Sequence, residues 1–350
     1  MKVVVDMQKL DNLYSGLGQF CFSLGKELIR QNQNIDFLFL GGNENSFGNQ
    51  VTFFQPGLID KIRGFTENIE VWHCTHQDPK ILPNKKVKLI LTIHDLNFLY
   101  KYKSEWRINL KIRKLQTLIK RADAIVTVSQ FTLKEIQNNF FIPDIISKVI
   151  YNGISLNNKL QAVKHVFAPT EPFLFSLGII SPKKNFHVLI QFLKKTNYKL
   201  IIAGDNSTTY AKEILKLARE AEVKEKLIMP GKISEEEKLW FYKNCEAFVF
   251  PSLSEGFGLP VAEAMSLGKP VFLSDKTSLP EIGGDAAFYW KDFEPEYMFR
   301  IFNEKMSLYK YDISYKDKLI NQSKKFSWEK AAQQYLDLYY LLAGKKDKKY

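Results

Sequence analysis

Short apolar runs alternate with amphipathic stretches along the whole chain of 350 residues. The runs have the length of buried strands, and the stretches between them repeat their apolar positions at helical spacing. Strand candidates in the first half are Val3–Val5, Phe37–Leu40, Leu89–Ile93, Ala124–Val128 and Lys148–Tyr151. Those in the second half are Phe173–Leu177, Leu200–Ala203, Leu227–Met229, Ala247–Phe250 and Val271–Leu273. This alternation predicts an α/β protein whose parallel sheets lie between layers of helices.

The chain is too long for one ordinary hydrophobic core and suits two domains. We expect two Rossmann-like domains, over residues 1–160 and 161–328, with Asn157–Thr170 as the linker. Ligands of such folds bind at the carboxyl ends of the strands. The two parallel sheets are therefore expected to face each other across a cleft that holds the functional site.

The segment Glu255–Glu263 follows the apolar run Ala247–Phe250 and places two carboxylates on either side of a glycine-rich turn. Gly256 and Gly258 permit a tightly bent backbone. Pro260 suits the start of a helix, whose first N–H groups attract phosphate. Because carboxylates repel phosphate, we expect both to bind sugar and ribose hydroxyls. A plain strand–loop–helix connection with solvated acids is the alternative.

Two further segments have the residues of a phosphate site. Lys183 and Lys184 follow the predicted strand Phe173–Leu177 and open a predicted helix, from which a lysine reaches a diphosphate. Ser15–Gly18 is a glycine loop between the first strand and the predicted helix Phe20–Ile29. The alternatives are a solvated basic helix start for the first segment and a plain turn for the second.

His94 ends the apolar run Leu89–Ile93 at the predicted carboxyl end of a strand. A histidine there hydrogen-bonds a sugar hydroxyl or a phosphate. A structural pair with Asp95 is the alternative.

Composition is that of a globular protein, with 45% hydrophobic and 25% charged residues. The net charge of +12 is concentrated in the first half, and Lys101–Arg121 holds eight basic residues and one acid. Most of this stretch reads as an amphipathic helix with a basic stripe at Arg107, Lys111 and Lys114. The stripe predicts contact with anionic lipid; a surface helix that packs on its own sheet is the alternative.

The sequence predicts neither a metal nor another cofactor. Cys21, Cys74 and Cys245 are widely spaced, which is typical of reduced structural cysteines in a cytosolic protein. His73 and His76 lie near Cys74 at a predicted strand end but lack the further ligands of a zinc site. No run reaches 18 apolar residues, and the start of the chain predicts a first strand, not a signal peptide.

Taken together, these segments resemble the retaining GT-B glycosyltransferases of family 4. The spacing of Glu255 and Glu263 matches the paired-glutamate motif of that family. The segment Gly256–Pro260 matches the residues that usually lie between the two glutamates. The resemblance covers nearly the whole chain, because six further segments occur in the family's order. These are Ser15–Gly18, Thr92–Leu96, Val149–Gly153, Pro182–Asn185, Ala203–Asp205 and Phe326–Trp328.

The resemblance implies transfer from a nucleotide sugar with retention at the anomeric carbon and without a metal. Glu255 would contact the donor sugar, Glu263 would hold the ribose hydroxyls, and His94 would lie beside the reacting centre. Lys184, with Lys183, would neutralise the diphosphate. Other donor-binding residues would be Gly16, Gly18, Ile233, Gly256, Phe257, Gly258 and Leu259. A last helix over residues 329–350 would return to the first domain.

One position departs from the family. Many members have an arginine after the glycine that corresponds to Gly178, whereas this chain has Ile179. The two lysines Lys183 and Lys184 would then carry more of the charge stabilisation at the diphosphate.

We therefore expect a cytoplasmic retaining glycosyltransferase, peripheral on the inner face of the cytoplasmic membrane. It would move a hexose or deoxyhexose onto a lipid-linked oligosaccharide or a cell-surface polysaccharide such as O-antigen or capsule. The residues of the Pro280–Asp285 region favour GDP-mannose as the donor. Nucleic acid is not an expected partner. The alternatives are a GT-B nucleotide-sugar epimerase and a non-catalytic binding protein with a basic membrane or nucleic-acid face.

Overall fold

The computed structural model describes residues 1–32, 34–42, 46–48, 51–54, 68–101, 104–156 and 160–345. The chain forms two compact units. Unit 1 consists of Met1–Gly153 and Ser327–Tyr350, and unit 2 of Ile154–Phe326. The first three residues of the predicted linker Asn157–Thr170 lie outside the described residues, as does Lys103 of the basic stretch.

Unit 1 is built on a seven-stranded parallel sheet of strand order β3-β2-β1-β4-β5-β6-β7. Val4 of the central strand pairs with Leu38 on one side and with Trp72 on the other. The strands are β1 Lys2–Asp6, β2 Asp36–Leu40, β3 Thr52–Phe54, β4 Val71–Cys74, β5 Lys88–Ile93, β6 Ala124–Thr127 and β7 Ile146–Val149. The helices are α1 Gly16–Gln31, α2 Phe98–Lys101, α3 Glu105–Arg121, α4 Gln130–Asn139 and, from the end of the chain, α12 Trp328–Leu342.

Unit 2 is built on a six-stranded parallel sheet of strand order β10-β9-β8-β11-β12-β13. The strands are β8 Phe173–Leu177, β9 Lys199–Ala203, β10 Leu227–Gly231, β11 Ala247–Phe250, β12 Val271–Ser274 and β13 Phe288–Trp290. The helices are α5 Val188–Lys194, α6 Thr209–Glu220, α7 Glu235–Asn244, α8 Leu259–Ser266, α9 Leu279–Gly283, α10 Pro295–Tyr311 and α11 Tyr315–Ser323.

Two parallel-sheet α/β units confirm the predicted fold class. The ten predicted strands all occur, because continuous apolar runs are what a strand buried on both faces requires. The pattern did not predict β3 or β13, and it noted β4 only as the strand end near Cys74. β3 and β13 are three residues long, too short for a periodicity to stand out, and His73 interrupts the apolar run of β4.

Helix α12 packs on unit 1 through buried hydrogen bonds as well as apolar contacts. Its Tyr339 hydroxyl lies 2.8 Å from Nδ1 of His73, and its Tyr335 hydroxyl lies 3.1 Å from Oγ1 of Thr92. The other ring nitrogen of His73 lies 2.8 Å from the same threonine oxygen. A Cβ at Gly153 would lie 2.0 Å from the backbone nitrogen of Trp328, so the start of α12 requires glycine there.

Candidate functional site

A polar cluster of unit 2 forms where β11 ends. Nζ of Lys184 lies 2.6 Å from Oε1 of Glu255, and the hydroxyl of Ser252 donates to the same oxygen at 2.5 Å. Burial by itself raises the pKa of the Glu255 carboxyl, but the charges of Lys184 and Lys183 and the two hydrogen bonds outweigh it. The pKa of Glu255 therefore lies below its usual value, and the group is an anion paired with a cation at neutral pH.

Lys184 is held in place by the end of β8. Its side chain is 9% exposed, and its Nζ lies 4.5 Å from the centre of the Phe250 ring. Gly178 takes φ +145°, and a Cβ there would lie 3.1 Å from Cε of Lys184. The glycine thus leaves room for the lysine stem, which points the ammonium group at Glu255.

The prediction that both lysines open a long helix is wrong. Lys183 and Lys184 belong to a short 3₁₀ turn, Pro182–Lys184, and α5 begins only at Val188. Asn185 interrupts the helix because it takes the left-handed conformation with φ +58°. The turn buries Lys184 and leaves Lys183 exposed, so the two neighbouring lysines have different surroundings.

A second loop, which follows β12, fixes the backbone around Glu255. Oγ1 of Thr277 accepts from the N–H of Glu255 at 3.0 Å. The hydroxyl of Ser278 lies 3.0 Å from the carbonyl oxygen of Glu255 and 2.9 Å from that of Phe257. Thr277 takes φ +54°, which is a genuine outlier for a β-branched residue. Backbone strain of this kind is typical of functional sites.

The glycine-rich turn leads into α8 as the sequence predicts. Gly258 is the N-cap of α8 and takes φ +111°, a conformation that favours glycine. The helix begins at Leu259, so Pro260 occupies its second position and not its first. The N–H groups at the start of such a helix have no partner within it and are suited to an anion.

Glu263 lies one turn into α8 and is 5% exposed. Its two carboxylate oxygens have different partners on α7. Nζ of Lys238 lies 3.2 Å from Oε1, and the hydroxyl of Tyr242 donates to Oε2 at 3.0 Å. Glu263 is therefore oriented from one side by two polar groups.

Ile233 follows β10 and is 9% exposed. The nearby Gly231 takes φ +87°, and a Cβ there would contact the side-chain amide of Asn206 at 3.6 Å. The amide of Asn206 in turn donates to the carbonyl oxygen of Met229 at 3.1 Å. These contacts give the end of β10 a defined backbone beside Ile233.

The predicted glycine loop of unit 1 is instead the start of a helix. Gly16 and Gly18 lie in the first turn of α1, and Ser15 is its N-cap. Oγ of Ser15 accepts from the N–H of Gly18 at 3.0 Å, so the cap already uses that donor. A Cβ at Gly18 would lie 2.1 Å from the carbonyl oxygen of Asn12, whereas one at Gly16 would meet nothing within 4 Å. Close packing thus explains why position 18 is glycine, whereas a Cβ at position 16 would have free space.

His94 lies where β5 ends, as predicted, and is 8% exposed. Its Nε2–H donates to the carbonyl oxygen of Thr75 at 2.8 Å, and its ring meets that of Phe20 edge-on at 4.6 Å. Burial lowers the pKa of His94, so the ring is neutral at pH 7. With Nε2 protonated, Nδ1 is the ring nitrogen that accepts.

The basic stripe of α3 is partly neutralised. The ammonium group of Lys111 lies 3.5 Å from the carboxylate of Asp78, and Lys114 forms an ion pair with the same carboxylate. Arg107 is exposed. Beside these cations the helix also exposes two large apolar side chains, Trp106 at 70% and Leu110 at 54%. The helix face thus combines an apolar pair with positive charge.

Within the described residues, no group of three or more His, Cys, Asp and Glu side chains is arranged to hold a metal ion. His73 contacts hydroxyl groups, and Nδ1 of His76 accepts from the N–H of Asp78. The three cysteines are free and buried. Of the helices in the described ranges, none combines the length and the apolar character that a bilayer-spanning segment needs.

Sequence reasoning missed the residues that orient the two glutamates. These are Lys238, Tyr242, Ser252, Thr277 and Ser278. The spacing of Lys238 and Tyr242, four residues apart on one helix face, was the signal available for the first two. Ser252 lies in a loop, three residues before Glu255, and Thr277 and Ser278 come from the loop after β12, so none of the three has a helical spacing that could have identified it.

Two family models match consecutive parts of the chain. The model described as Glycosyltransferase Family 4 matches residues 14–158, and the one described as Glycosyl transferases group 1 matches residues 157–297. The boundary between the matches falls close to the boundary between units 1 and 2.

Known proteins are similar to this chain over all or part of their length. The O-antigen chain mannosyltransferase B of Escherichia coli is 25% identical over 390 residues, which cover 98% of this chain and 100% of that protein. The serotype-specific mannosyltransferase WbdA of Escherichia coli is 31% identical over 232 residues, which cover 61% of this chain but 28% of WbdA. The structure of Anabaena Alr3699/HepE in complex with UDP-glucose has a TM-score of 0.75 at 17% identity and covers 97% of this chain and 99% of that one. This likeness shows a shared fold.

Proposed function

The chain belongs to the group 1 glycosyl transferases, with the GT-B fold that the sequence predicted, and we propose that it transfers mannose from a nucleoside diphosphate to a polysaccharide of the cell surface. The observation that carries this proposal is the ion pair of Lys184 and Glu255 at the glycine-rich turn before α8. The cation and the helix N-terminus suit the diphosphate of a nucleotide sugar, and the carboxylate suits the hydroxyls of its sugar.

The chemistry of the transfer fits these groups. The bond between C1 of the sugar and the diphosphate oxygen breaks, and its electron pair stays on the phosphate. The acceptor oxygen bonds to C1 and passes its hydroxyl proton to the departing diphosphate. Lys184, Lys183 and the first N–H groups of α8 stabilise the negative charge of the leaving group, which is greatest in the transition state. Retention of configuration and independence from metal follow from the family resemblance.

Most of the proposed donor contacts involve residues of unit 2. Glu255 accepts from the hydroxyls of the sugar, and the backbone N–H groups of Phe257, Gly258 and Leu259 assist it. Glu263 accepts from the ribose hydroxyls, and Ile233 packs beside the base. Because Ile179 stands where many relatives have arginine, the diphosphate relies on the two lysines. The roles of Gly16, Gly18 and His94 in unit 1 remain predictions from the resemblance.

The donor and the acceptor are proposed from the relatives. The mannosyltransferase named among them favours GDP-mannose as the donor, although Alr3699/HepE was solved with UDP-glucose. The same relative acts on an O-antigen chain, which favours a lipid-linked or polysaccharide acceptor. We place the protein in the cytoplasm, at the inner face of the cytoplasmic membrane.

Nucleotide binding tests the donor site directly. We expect one of GDP, UDP, dTDP and ADP to raise the melting temperature. A ligand at a hundred times its dissociation constant stabilises a protein by about 2.7 kcal/mol. Glu263→Gln should lose this shift, because an amide accepts the ribose hydroxyls less strongly than a carboxylate. Glu304→Gln, an exposed site on α10, is the matched control and should keep it. No shift with any of the four nucleotides would contradict the proposed function.

Membrane binding rests on the exposed face of α3. Trp106 and Leu110 would enter the lipid interface, while Arg107 and Arg113 attract anionic headgroups. We expect the protein to sediment with phosphatidylglycerol vesicles at low salt and to leave them at high salt. Substituting both apolar residues by alanine should lower the bound fraction severalfold.

Leu341→Ala on α12 is the matched control, since Leu341 is equally exposed at 58%. Equal binding of the wild-type protein to phosphatidylcholine vesicles, or none to either kind, would refute the membrane role and leave the transferase proposal standing.

A further inference from the structure

Helix α7 carries a lysine where a surface helix normally places an apolar residue. Lys238 is 7% exposed and lies on the helix face that also buries Leu239, Phe241 and Tyr242. Lysine is almost never buried to this degree unless its charge is compensated. A buried lysine therefore requires partners, and its partners indicate its role.

Two carboxylates compensate this charge. Nζ of Lys238 lies 2.7 Å from Oε2 of Glu235, one turn earlier on α7, and 3.2 Å from Oε1 of Glu263 on α8. Burial by itself lowers the pKa of the Lys238 ammonium group, but the charges of Glu263 and Glu235 outweigh it, and the pKa lies above its usual value. Lys238 is thus a cation at neutral pH and holds Glu263 against α7.

Tyr242 completes the arrangement from the same helix face, four residues further on. Its hydroxyl lies 3.0 Å from Oε2 of Glu263 and 3.1 Å from the carbonyl oxygen of Pro260. Lys238 and Tyr242 therefore each contact one of the two carboxylate oxygens. Since each oxygen has two lone pairs, one further acceptor site remains on each, and the plane of the carboxylate is fixed.

We propose that Lys238 is a positioning residue for nucleotide binding, which holds the Glu263 carboxylate in the orientation that accepts two ribose hydroxyls. This inference rests on the proposed function, because it requires Glu263 to contact the ribose. Lys238 itself touches no part of the donor. Its effect should therefore depend on whether the ligand has ribose hydroxyls.

The test compares nucleotides with and without those hydroxyls. Dissociation constants of GDP and UDP, and of their 2′,3′-dideoxy counterparts, are measured by calorimetry for the wild-type protein, Lys238→Met, Lys238→Arg and Lys212→Met. Methionine keeps the length of the side chain and removes the charge, whereas arginine keeps the charge. Lys212 is an exposed lysine on α6 and serves as the matched control.

We expect Lys238→Met to weaken binding of the better ribonucleotide about tenfold, the typical effect of a hydrogen bond to a charged group. Binding of its dideoxy counterpart should change less than twofold. Lys238→Arg should recover most of the loss, and Lys212→Met should bind as the wild type does. In transfer assays, Lys238→Met should raise KM for the donor and leave kcat within about threefold.

Three other results would overturn the inference, and they differ in what else they refute. An equal loss for both nucleotides in Lys238→Met would make Lys238 a purely structural residue and leave the proposed function intact. A wild-type protein that binds a ribonucleotide and its dideoxy counterpart equally would refute the ribose contact of Glu263. A wild-type protein that binds neither GDP nor UDP, and that dTDP and ADP do not stabilise, would refute the proposed function itself.

Discussion

Replacing Glu255 by glutamine should lower the rate of sugar transfer by about 10²–10³-fold, the effect of removing one preorganised electrostatic contact from a transition state. The substitution keeps the size of the side chain and an oxygen that accepts from the hydroxyl of Ser252. It removes the negative charge that orients Lys184 and that, in the proposed function, accepts from the hydroxyls of the donor sugar. The loss should therefore appear in kcat, while nucleotide affinity changes little.

Turnover of GDP-mannose and UDP-glucose with a lipid-linked acceptor measures this effect, and the melting temperature shows whether the variant is folded. Glu304→Gln again serves as the control, since it changes a surface carboxylate in the same unit. A fully folded Glu255→Gln variant that turns over at the wild-type rate would rule out a catalytic role for Glu255 and favour a non-catalytic binding protein.

Unit 1 should lose stability as the pH falls, because His73 is buried and neutral. Its two ring nitrogens contact hydroxyls of Tyr339 and Thr92. Burial, together with the charge of His94, lowers the pKa of His73 to about 3. In the unfolded chain the pKa returns to about 6.5. Between these two values the unfolded state binds a proton that the folded state does not, so acid favours unfolding.

The size of this effect follows from the two pKa values. The contribution of His73 to the free energy of unfolding is complete above pH 6.5 and falls by about 3 kcal/mol at pH 4. Asp6 acts in the opposite direction, because burial raises the pKa of its carboxyl to about 6. Its contribution grows as the pH falls from 6 towards 4, and it is common to the wild type and to variants at position 73.

Urea denaturation between pH 7 and pH 4 measures the effect in the wild type and in His73→Asn. The variant should lose about 3 kcal/mol less than the wild type over this range. Hydrogen exchange in peptides from β4 and α12 assigns the difference to unit 1. His165→Asn in unit 2 is the control. Parallel curves for the wild type and His73→Asn would contradict the assignment.

The motif Glu255–Glu263 shows how much of the local structure can be predicted from residue spacing alone. It predicted a strand, a turn with glycine and a helix, and the structure has β11, a left-handed Gly258 and α8. Such local features are predictable because apolar runs and backbone restrictions act over a few residues. The same reasoning expected a helix from Lys183 onward, which the left-handed Asn185 prevents. Asparagine tolerates that conformation without requiring it, so sequence alone could not decide between the two.

Charged residues are the opposite case, because the local sequence did not show whether they are paired. Lys111 and Lys114 read as a free basic stripe, but Asp78, more than thirty residues earlier, neutralises part of it. The sequence did not single out Lys238, which is buried against Glu263 of the next helix. Neither partner is visible in the sequence around the lysine.

The sequence by itself determined the two parallel sheets, most strand positions, the family and the glutamate pair, because periodicity and short motifs encode how one element buries its own faces. The tertiary structure alone decided which charges are paired. Lys184 faces Glu255 because parallel strands bring loops from distant parts of the chain to the same end of a sheet. Lys238 faces Glu263 because α7 and α8 bring their side chains together. Side-chain partners across elements depend on that packing and on the rotamers it permits, and neither is written in local sequence.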